Sequence, residues 1–378
     1  MVKIALIDDE IALEMLNSPE KIDCFYKKTR EREKSEVHVT HGTLCAGIIE
    51  EYAVDYHLFA FGLYFKNGQS SIIDFITALD MCLKMEVDII SLSVGTVKLS
   101  DSIILQPIIS KVLEKNIIIV ASNSNGCWRT LPAYFNGVVS VITDPINIIG
   151  QDMIRLVERN EYNIDVISKP LSLPCMGFIK EMSENSIGTP LVTSLISNEL
   201  SVIKGRNISE VMDRLRSHYK IINTAELKNI LDIKKKRSTC RNIDDIPHIQ
   251  LHFERGQDCQ KYCTLLLANV SYEIAIVTNL EINDPRIVRC GRLDIITGSE
   301  DLDMQVDIIF YYFKNSNKEI NSDIDFVIND LNNSYYHKGN EIGSDRVYDM
   351  IDSIRKGITF LEKYFEGGNP NGEITYGI

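Results

Sequence analysis

The apolar runs in the first 225 or so residues constrain the fold of this chain more than any other feature. Six runs rich in isoleucine and valine do not alternate cleanly with polar residues: KIALI (3–7), HLFAFGLYF (57–65), VDIISLSV (87–94), NIIIVAS (116–122), VVSVIT (138–143) and YNIDVIS (162–168). Runs of this kind are typical of strands buried on both faces of a parallel sheet. Amphipathic stretches at 70–85 and 101–115 predict crossover helices between them. The alternation predicts an α/β domain with a doubly wound, mostly parallel sheet.

The length of 378 residues is too great for one ordinary core and predicts two domains. We assign residues 1–230 to the first domain, residues 231–245 to a basic, polar linker and residues 246–378 to a second, smaller α/β domain. In the second domain the patterns predict a strand and a turn at 248–256, further strands at 272–279 and 306–313, and helices at 258–270 and 344–366.

The segment GQDCQKYC (256–263) lies between a predicted strand and a predicted helix, where a phosphate-binding loop would lie. It lacks the second glycine and the Ser or Thr of GxxxxGK[ST]. We therefore interpret the second domain as a degenerate nucleotide-binding-like fold. Its expected role is interaction with other proteins, substrate docking or the formation of a homodimer. No cofactor is expected.

The composition excludes several classes of partner. A net charge of −13 repels phosphate backbones, so nucleic acid is not predicted as a partner. No run reaches the roughly 18 apolar residues of a membrane helix, and residues 2–7 lead straight into acidic residues, unlike a signal peptide. Nine scattered cysteines, an odd number, argue against a disulfide framework. Together these features predict a cytoplasmic protein.

Four short segments carry residues suited to catalysis. They are ALIDDEI (5–11), HVTHGTLCAGII (38–49), IIIVASNSNG (117–126) and ENSIGTPLVTSLIS (184–197). A serine nucleophile needs an imidazole base within reach, a carboxylate that orients the imidazole, and a donor for the developing oxyanion. The segments supply an acid at a strand end, a histidine and a serine at helix starts, and asparagines after a strand. Ligand sites of open α/β sheets form at the carboxyl ends of the strands.

In this order the segments resemble those of the subtilisin-like serine peptidases (subtilases), whose triad follows the chain order Asp, His, Ser. The resemblance covers about residues 1–205. It implies a triad of Asp8, His41 and Ser186. It also implies an oxyanion hole made by the Asn123 side chain with the Ser186 backbone N–H. DIISLSVG (88–95) resembles the family's strand that pairs with the substrate backbone, and the substrate-binding residues it implies are Ser93, Val94, Gly95 and Ser122.

Three departures from the family pattern leave alternatives open. Asp9 and Glu10 stand where the family has Ser or Thr and then Gly, so Asp9 is an alternative partner of His41. Ser122 replaces the glycine before the family's asparagine, so Asn125 is an alternative to Asn123.

The third departure lies at the serine motif, where Glu184 and Asn185 replace the usual Gly-Thr. Cys127 and Trp128 either shape the substrate pocket or anchor the loop, and both interpretations remain open. His38 and His41 form an HxxH pair, but the HGT context explains His41 better than a metal does, so no metal is predicted.

The predicted function is therefore that of a cytoplasmic serine endopeptidase. Its substrate is a peptide or protein, such as a precursor peptide recruited by the second domain. The predicted strand of Asp8 begins at Val2, so a propeptide is not expected. The alternative is a catalytically weak or inactive subtilase-like protein that binds peptides.

Overall fold

The computed structural model describes most of the first 237 residues and seven short strands beyond them. The described ranges are 1–26, 39–63, 65–66, 69–97, 101–126, 130–158, 160, 162–173, 178–203 and 207–237, with the strands lying between 248 and 344. Two compact units are distinguished, one formed by residues 1–96 with 104–238 and the other by residues 97–103 with 239–378.

The first unit contains six helices and thirteen strands among its described residues. The strands are β1 (Val2–Asp8), β2 (Ile22–Tyr26), β3 (Tyr56–Gly62), β4 (Phe65–Lys66), β5 (Gln69–Ser70), β6 (Ile89–Leu92), β7 (Ile118–Ser122), β8 (Val139–Thr143), β9 (Ile154–Val157), β10 (Val166–Ser168), β11 (Leu171–Leu173), β12 (Phe178–Met182) and β13 (Ile221–Ile222). The helices are α1 (His41–Tyr52), α2 (Ile72–Met85), α3 (Ser102–Glu114), α4 (Asn185–Val202), α5 (Ile208–His218) and α6 (Thr224–Arg237). Two 3₁₀ turns, Leu13–Met15 and Pro19–Lys21, follow β1.

Nine of these strands form one sheet in the order β13-β9-β10-β8-β7-β6-β1-β3-β2. Neighbouring strands are parallel except for β9 and β10, which are antiparallel. Strand β1 lies between β3 and β6, so the chain moves to one side of β1 and later returns to the other side. The strand order therefore reverses beside β1, and ligand sites form at the carboxyl ends of strands next to such a reversal.

The core explains why the strands read as continuous apolar runs. Ile4 and Leu6 join one buried cluster with side chains of α1, α4 and α5. Successive side chains of a strand point to opposite faces, so Ala5 and Ile7 face the other side, where they are also buried. Because both faces of β1 exclude water, the strand cannot alternate apolar and polar residues.

The predicted doubly wound, mostly parallel α/β architecture is confirmed in the first unit. Each of the six apolar runs contains a strand of the nine-stranded sheet, and the two amphipathic stretches form α2 and α3. Helix α6 continues to Arg237, so the first part of the predicted linker is helical. Its buried leucines, Leu227 and Leu231, join a second core cluster with Ile142 and Ile167, which explains why the chain stays ordered there. The domain boundaries themselves stay a prediction.

The second unit contains one seven-stranded sheet among its described residues. Its strands are β14 (His248–His252), β15 (Ile274–Thr278), β16 (Ile287–Arg289), β17 (Ile308–Tyr312), β18 (Phe326–Asn329), β19 (Ser334–His337) and β20 (Asn340–Ser344). The order is β16-β15-β17-β14-β18-β19-β20, with β19 and β20 antiparallel to their neighbours. The three predicted strands are present as β14, β15 and β17. The predicted helix at 258–270, the segment 256–263 and the residues of the predicted helix after Ser344 lie outside the described residues.

Candidate active site

The predicted acid and base meet where β1 ends and α1 begins. Asp8 is the last residue of β1 and is 2% exposed, and His41 is the first residue of α1. The His41 Nδ1 atom lies 2.9 Å from Asp8 Oδ1 and 3.0 Å from Asp8 Oδ2. An Nδ1–H that donates to the carboxylate leaves Nε2 as an acceptor, which is the tautomer a general base needs.

The predicted nucleophile lies on the other side of the imidazole. Ser186 is in the first turn of α4, and its Oγ lies 2.9 Å from His41 Nε2. Ser93 follows β6, and its hydroxyl donates to the Ser186 carbonyl oxygen over 2.8 Å. The structure thus brings Asp8, His41 and Ser186 into one chain of hydrogen bonds, although 145 residues separate the histidine from the serine.

Asp9 contacts the backbone of His41 and not its ring. Its Oδ2 accepts from the His41 N–H over 3.2 Å and its Oδ1 accepts from the Gly42 N–H over 2.6 Å. The Thr40 hydroxyl accepts from the Thr43 N–H, and the Thr40 carbonyl accepts from the Leu44 N–H. The N–H groups of His41, Gly42 and Thr43, which the start of a helix leaves without partners inside the helix, therefore all have acceptors. The two carboxylates have separate roles: Asp8 orients the imidazole and Asp9 caps the helix that carries it.

Gly42 has a steric reason for its place in this cap. A Cβ at this position would lie 2.6 Å from the Asp9 carbonyl oxygen and 2.8 Å from Asp9 Oδ1. Contacts that short do not occur, so any side chain would push β1 away from α1. The glycine of the HGT motif is therefore required for the close approach of the two elements.

The pKa of the His41 imidazole is raised above its usual value. A thiolate at Cys45 would raise it most, the hydrogen bond and the charge of Asp8 raise it as well, and burial lowers it. Burial raises the pKa of the Cys45 thiol to about 11, so at neutral pH this thiol is uncharged. Asp8 is therefore the anion that raises the pKa of His41 near neutral pH.

This shift predicts where activity is lost on the acid side. His41 must be neutral to act as a base, so kcat/KM should rise with pH through a midpoint above 6.5, the ordinary imidazole value. The profile can be measured with any peptide that the protein cleaves. A Cys45→Ala variant should keep the same midpoint because the thiol it removes is uncharged near neutrality. A wild-type midpoint below 6.5 would show that burial outweighs the effect of Asp8.

Asn185, immediately before the nucleophile, connects α4 to two strand ends. It is fully buried, and its Oδ1 accepts from the Thr143 N–H over 2.8 Å. Its Nδ2 donates to the carbonyl oxygens of Asn123 over 3.1 Å and of Ser124 over 2.7 Å. Sequence reasoning noted Asn185 only as a departure from the family pattern and missed this role. A polar residue directly before Ser186 was the one sign of this role in the sequence. The sequence could not show which groups Asn185 bonds to, because the paths of the loops decide that.

Gly188 allows α4 to approach the sheet one turn after Asn185. A Cβ there would lie 2.0 Å from Ser168 Oγ and 2.4 Å from Thr143 Oγ1, two buried hydroxyls that are 3.0 Å apart. We expect Gly188→Ala to lower the free energy of unfolding by about 3 kcal/mol, since both hydroxyl residues are fully buried and the Ser168 Cβ would also lie only 3.0 Å away. Denaturant unfolding measures the loss.

Gly150→Ala is the matched control for that variant. No atom lies within 4 Å of a Cβ at Gly150, whose φ is +61°, so only backbone strain of about 1 kcal/mol is expected there. Equal losses in the two variants would contradict the steric explanation for Gly188.

The structure places the two asparagines that sequence reasoning considered for the oxyanion in different surroundings. Asn123 follows β7 and is 7% exposed, and its Nδ2 lies 2.5 Å from Ser140 Oγ. Asn125 is exposed, and its Oδ1 accepts from the Asn185 N–H over 2.7 Å. Both lie on the loop that Asn185 holds.

The predicted substrate-binding residues lie at the ends of β6 and β7. Ser93 and Val94 are half-buried, Gly95 is exposed and Ser122, the last residue of β7, is buried. A Cβ at Gly95 would lie 2.6 Å from the Leu131 carbonyl oxygen, which in turn accepts from the Thr96 N–H over 2.9 Å. The stretch 93–95 therefore follows the strand β6 and leads into a bridge between Thr96 and Leu131. Its role in binding substrate stays a prediction.

Asp8, His41 and Cys45 present three atoms of metal-ligand type within 4.8 Å of one another. Two of these groups already bond to each other, and the raised pKa of Cys45 keeps its sulfur protonated near neutrality. The Cys45 Sγ lies 3.4 Å from Ser93 Oγ and 3.7 Å from His41 Nδ1, so the thiol packs beneath the imidazole. This arrangement fits the orientation of a histidine better than the binding of a cation. His38, Cys127 and Trp128 lie outside the described residues.

No helix in the described part of the chain is long and apolar enough to cross a membrane.

Comparison with solved structures finds several proteases with low sequence identity. They include the prenylagaramide maturation protease PagA (16% identity, covering 53% of this chain and 76% of that chain, TM-score 0.40). A lanthipeptide protease has 14% identity, coverage of 57% and 79%, and a TM-score of 0.42. A cold-adapted subtilisin-like serine proteinase has 16% identity, coverage of 54% and 77%, and a TM-score of 0.39.

A search of curated protein sequences gave no match. The sequence model of the subtilase family, Peptidase_S8, matches residues 1–144 of this chain. The matched part includes Asp8, His41 and Asn123, and ends before Ser186. The resemblance to subtilases that the motifs indicate is thereby confirmed over residues 1–144.

Proposed function

We propose that this protein is a serine endopeptidase of the subtilase type. The observation that carries the proposal is the continuous chain of hydrogen bonds from Asp8 through His41 to Ser186. The His41 Nδ1 lies 2.9 Å from Asp8 Oδ1, and the His41 Nε2 lies 2.9 Å from Ser186 Oγ. Three groups with these identities, in this order and at these distances, are what nucleophilic catalysis by a serine requires.

In the proposed mechanism Ser186 Oγ attacks the carbonyl carbon of the scissile peptide bond as His41 Nε2 takes the hydroxyl proton. The imidazolium forms next to the Asp8 carboxylate, which is 2% exposed. Because water screens so buried a charge only weakly, the carboxylate stabilises the imidazolium electrostatically. His41 then gives its proton to the leaving amine, and the acyl group remains on Ser186. Water, activated by the same histidine, releases the acid product and restores the serine.

The proposed substrate is a peptide or protein, bound beside residues 93–95 as an added strand. Within that class we propose a narrow substrate, such as a precursor peptide matured in the cytoplasm. Support for narrow selectivity comes from the second folded unit with its seven-stranded sheet, which the chemistry itself does not need. Incubating the full chain with unstructured casein tests this selectivity, because cleavage at many sites would contradict it.

Labelling with a fluorophosphonate probe tests the proposed function without knowledge of the substrate. We expect the folded wild-type protein to be labelled under reducing conditions and Ser186→Ala to remain unlabelled, because the probe reacts only with an activated serine hydroxyl. Circular dichroism and thermal unfolding of both proteins control for folding. Absence of labelling in folded wild-type protein would instead support a peptide-binding protein without activity.

A further inference from the structure

The loop after β7 contains the two asparagines, Asn123 and Asn125, that compete for one task in the proposed mechanism. The attack on a carbonyl puts negative charge on its oxygen, and a side-chain N–H near Ser186 must meet that charge. We propose that Asn125, and not Asn123, is the catalytic residue that supplies this N–H. The inference rests on the proposed function and names a residue of the same site.

Asn123 is committed to the interior of the domain. Its backbone N–H donates to the Val141 carbonyl over 3.0 Å, and its own carbonyl accepts from Asn185 Nδ2. Its side-chain amide lies 2.5 Å from Ser140 Oγ, and Ser140 is fully buried in β8. An asparagine held on three sides by strand and helix contacts is a structural residue, which positions the loop and leaves the bound carbonyl to another donor.

Asn125 has the opposite surroundings. Asn125 is exposed, and its Oδ1 accepts from the backbone N–H of Asn185, the residue directly before Ser186. Only the oxygen of the amide can accept from a backbone N–H, so this contact fixes which end of the amide is which. Within the described part of the chain, the Nδ2 of Asn125 has no hydrogen-bond partner, so both of its N–H groups are available next to the nucleophile.

The first turn of α4 supplies the second donor. The Asn185 N–H is paired with Asn125, and the Ile187 N–H donates to the Glu184 carbonyl over 3.1 Å. Between them, the Ser186 N–H has no acceptor among the described residues. A helix N-terminus concentrates positive potential, so this free N–H is suited to an anion. The Asn125 amide, anchored one residue earlier, is beside it.

The anchor also explains how an exposed side chain could act in catalysis. Preorganised donors are effective because they need no rearrangement when charge develops. The Asn185 N–H holds the Asn125 amide in place, and Asn185 itself is held by Thr143 and by the loop. The Oδ1 atom of Asn125 is therefore held in place, and its Nδ2 group is left to donate to the oxyanion.

Three variants test this assignment, with the second-order rate constant of fluorophosphonate labelling as the readout. Removing one oxyanion donor typically costs 10²- to 10³-fold, so we expect a loss of about that size in Asn125→Ala. Asn125→Asp can still accept from the Asn185 N–H but cannot donate, so it should keep its thermal stability and show a similar loss. Asn123→Ala is the matched control and should lose less than about tenfold in rate while unfolding at lower temperature.

The outcomes separate this inference from the function on which it rests. Wild-type labelling that disappears in Ser186→Ala supports the peptidase whatever Asn125 does. A larger loss in Asn123→Ala than in Asn125→Ala, or equal losses in the two, would overturn the assignment of Asn125 alone. Labelling of Asn125→Asp at the wild-type rate would overturn it as well, since that variant keeps the anchor and removes only the donor.

Discussion

Replacing His41 by alanine is expected to abolish catalysis as completely as replacing Ser186, with kcat lowered about 10⁶-fold in either variant. The double variant should be no worse than either single one. The reason is that Ser186 Oγ and His41 Nε2, 2.9 Å apart, act as one unit, so the hydroxyl has no nucleophilic role once its base is gone. Kinetics on one cleaved peptide, measured for the three variants, give the comparison.

His57→Ala is the matched control for that experiment. His57 lies on β3, and its Nε2 is 2.9 Å from Asp23 Oδ2, so the protein contains a second histidine–carboxylate pair of the same length on the same sheet. Removing it should leave kcat unchanged, because among the described residues no serine or cysteine side chain is hydrogen-bonded to the His57 ring. Losses that add in the double variant of His41 and Ser186 would show that the two residues do not work together, and would contradict the proposed triad.

Much of the first unit could be predicted because burial on both faces leaves a clear mark on the sequence. The central strands β1, β6, β7 and β8 are flanked by helices, so nearly every residue in them is buried and most are apolar. Edge strands have no such mark. Within the described part of the chain, strand β2, IDCFY, pairs with β3 alone and exposes Asp23, and the sequence analysis did not predict it. Short outer strands such as β9 and β13 escaped prediction for the same reason.

The site was predictable to the extent that local motifs define it. The resemblance of the four segments to the subtilase motifs, in the same chain order, indicated that Asp8, His41 and Ser186 would meet. The tasks of Asp9 and Asn185 were not predictable, because each depends on which backbone N–H comes within reach of a short side chain. The paths of the loops set these distances, and they also decide whether Asn123 or Asn125 lies beside Ser186. A pattern of residue types along the sequence does not contain the paths of the loops.

Asp8→Asn is the variant that separates the two carboxylates at the end of β1, and we expect it to lower kcat by about 10⁴-fold. An amide in place of the Asp8 carboxylate can offer its N–H₂ group to His41 Nδ1, which favours the tautomer that carries the proton on Nε2. That tautomer cannot accept the proton of Ser186. The variant also removes the charge that raises the pKa of His41, so the acid limb of its remaining activity should move to lower pH.

Asp9→Asn is the matched neighbour, and its expected effect is far smaller. The asparagine oxygen can still accept from one of the two N–H groups that the carboxylate now holds, at His41 and Gly42. We expect a loss of about 1 kcal/mol in the free energy of unfolding, as for a weakened helix cap, and less than about a tenfold loss in kcat. If Asp9→Asn lost 10⁴-fold and Asp8→Asn did not, the roles read from the hydrogen bonds would be reversed, and Asp9 would be the acid of the triad.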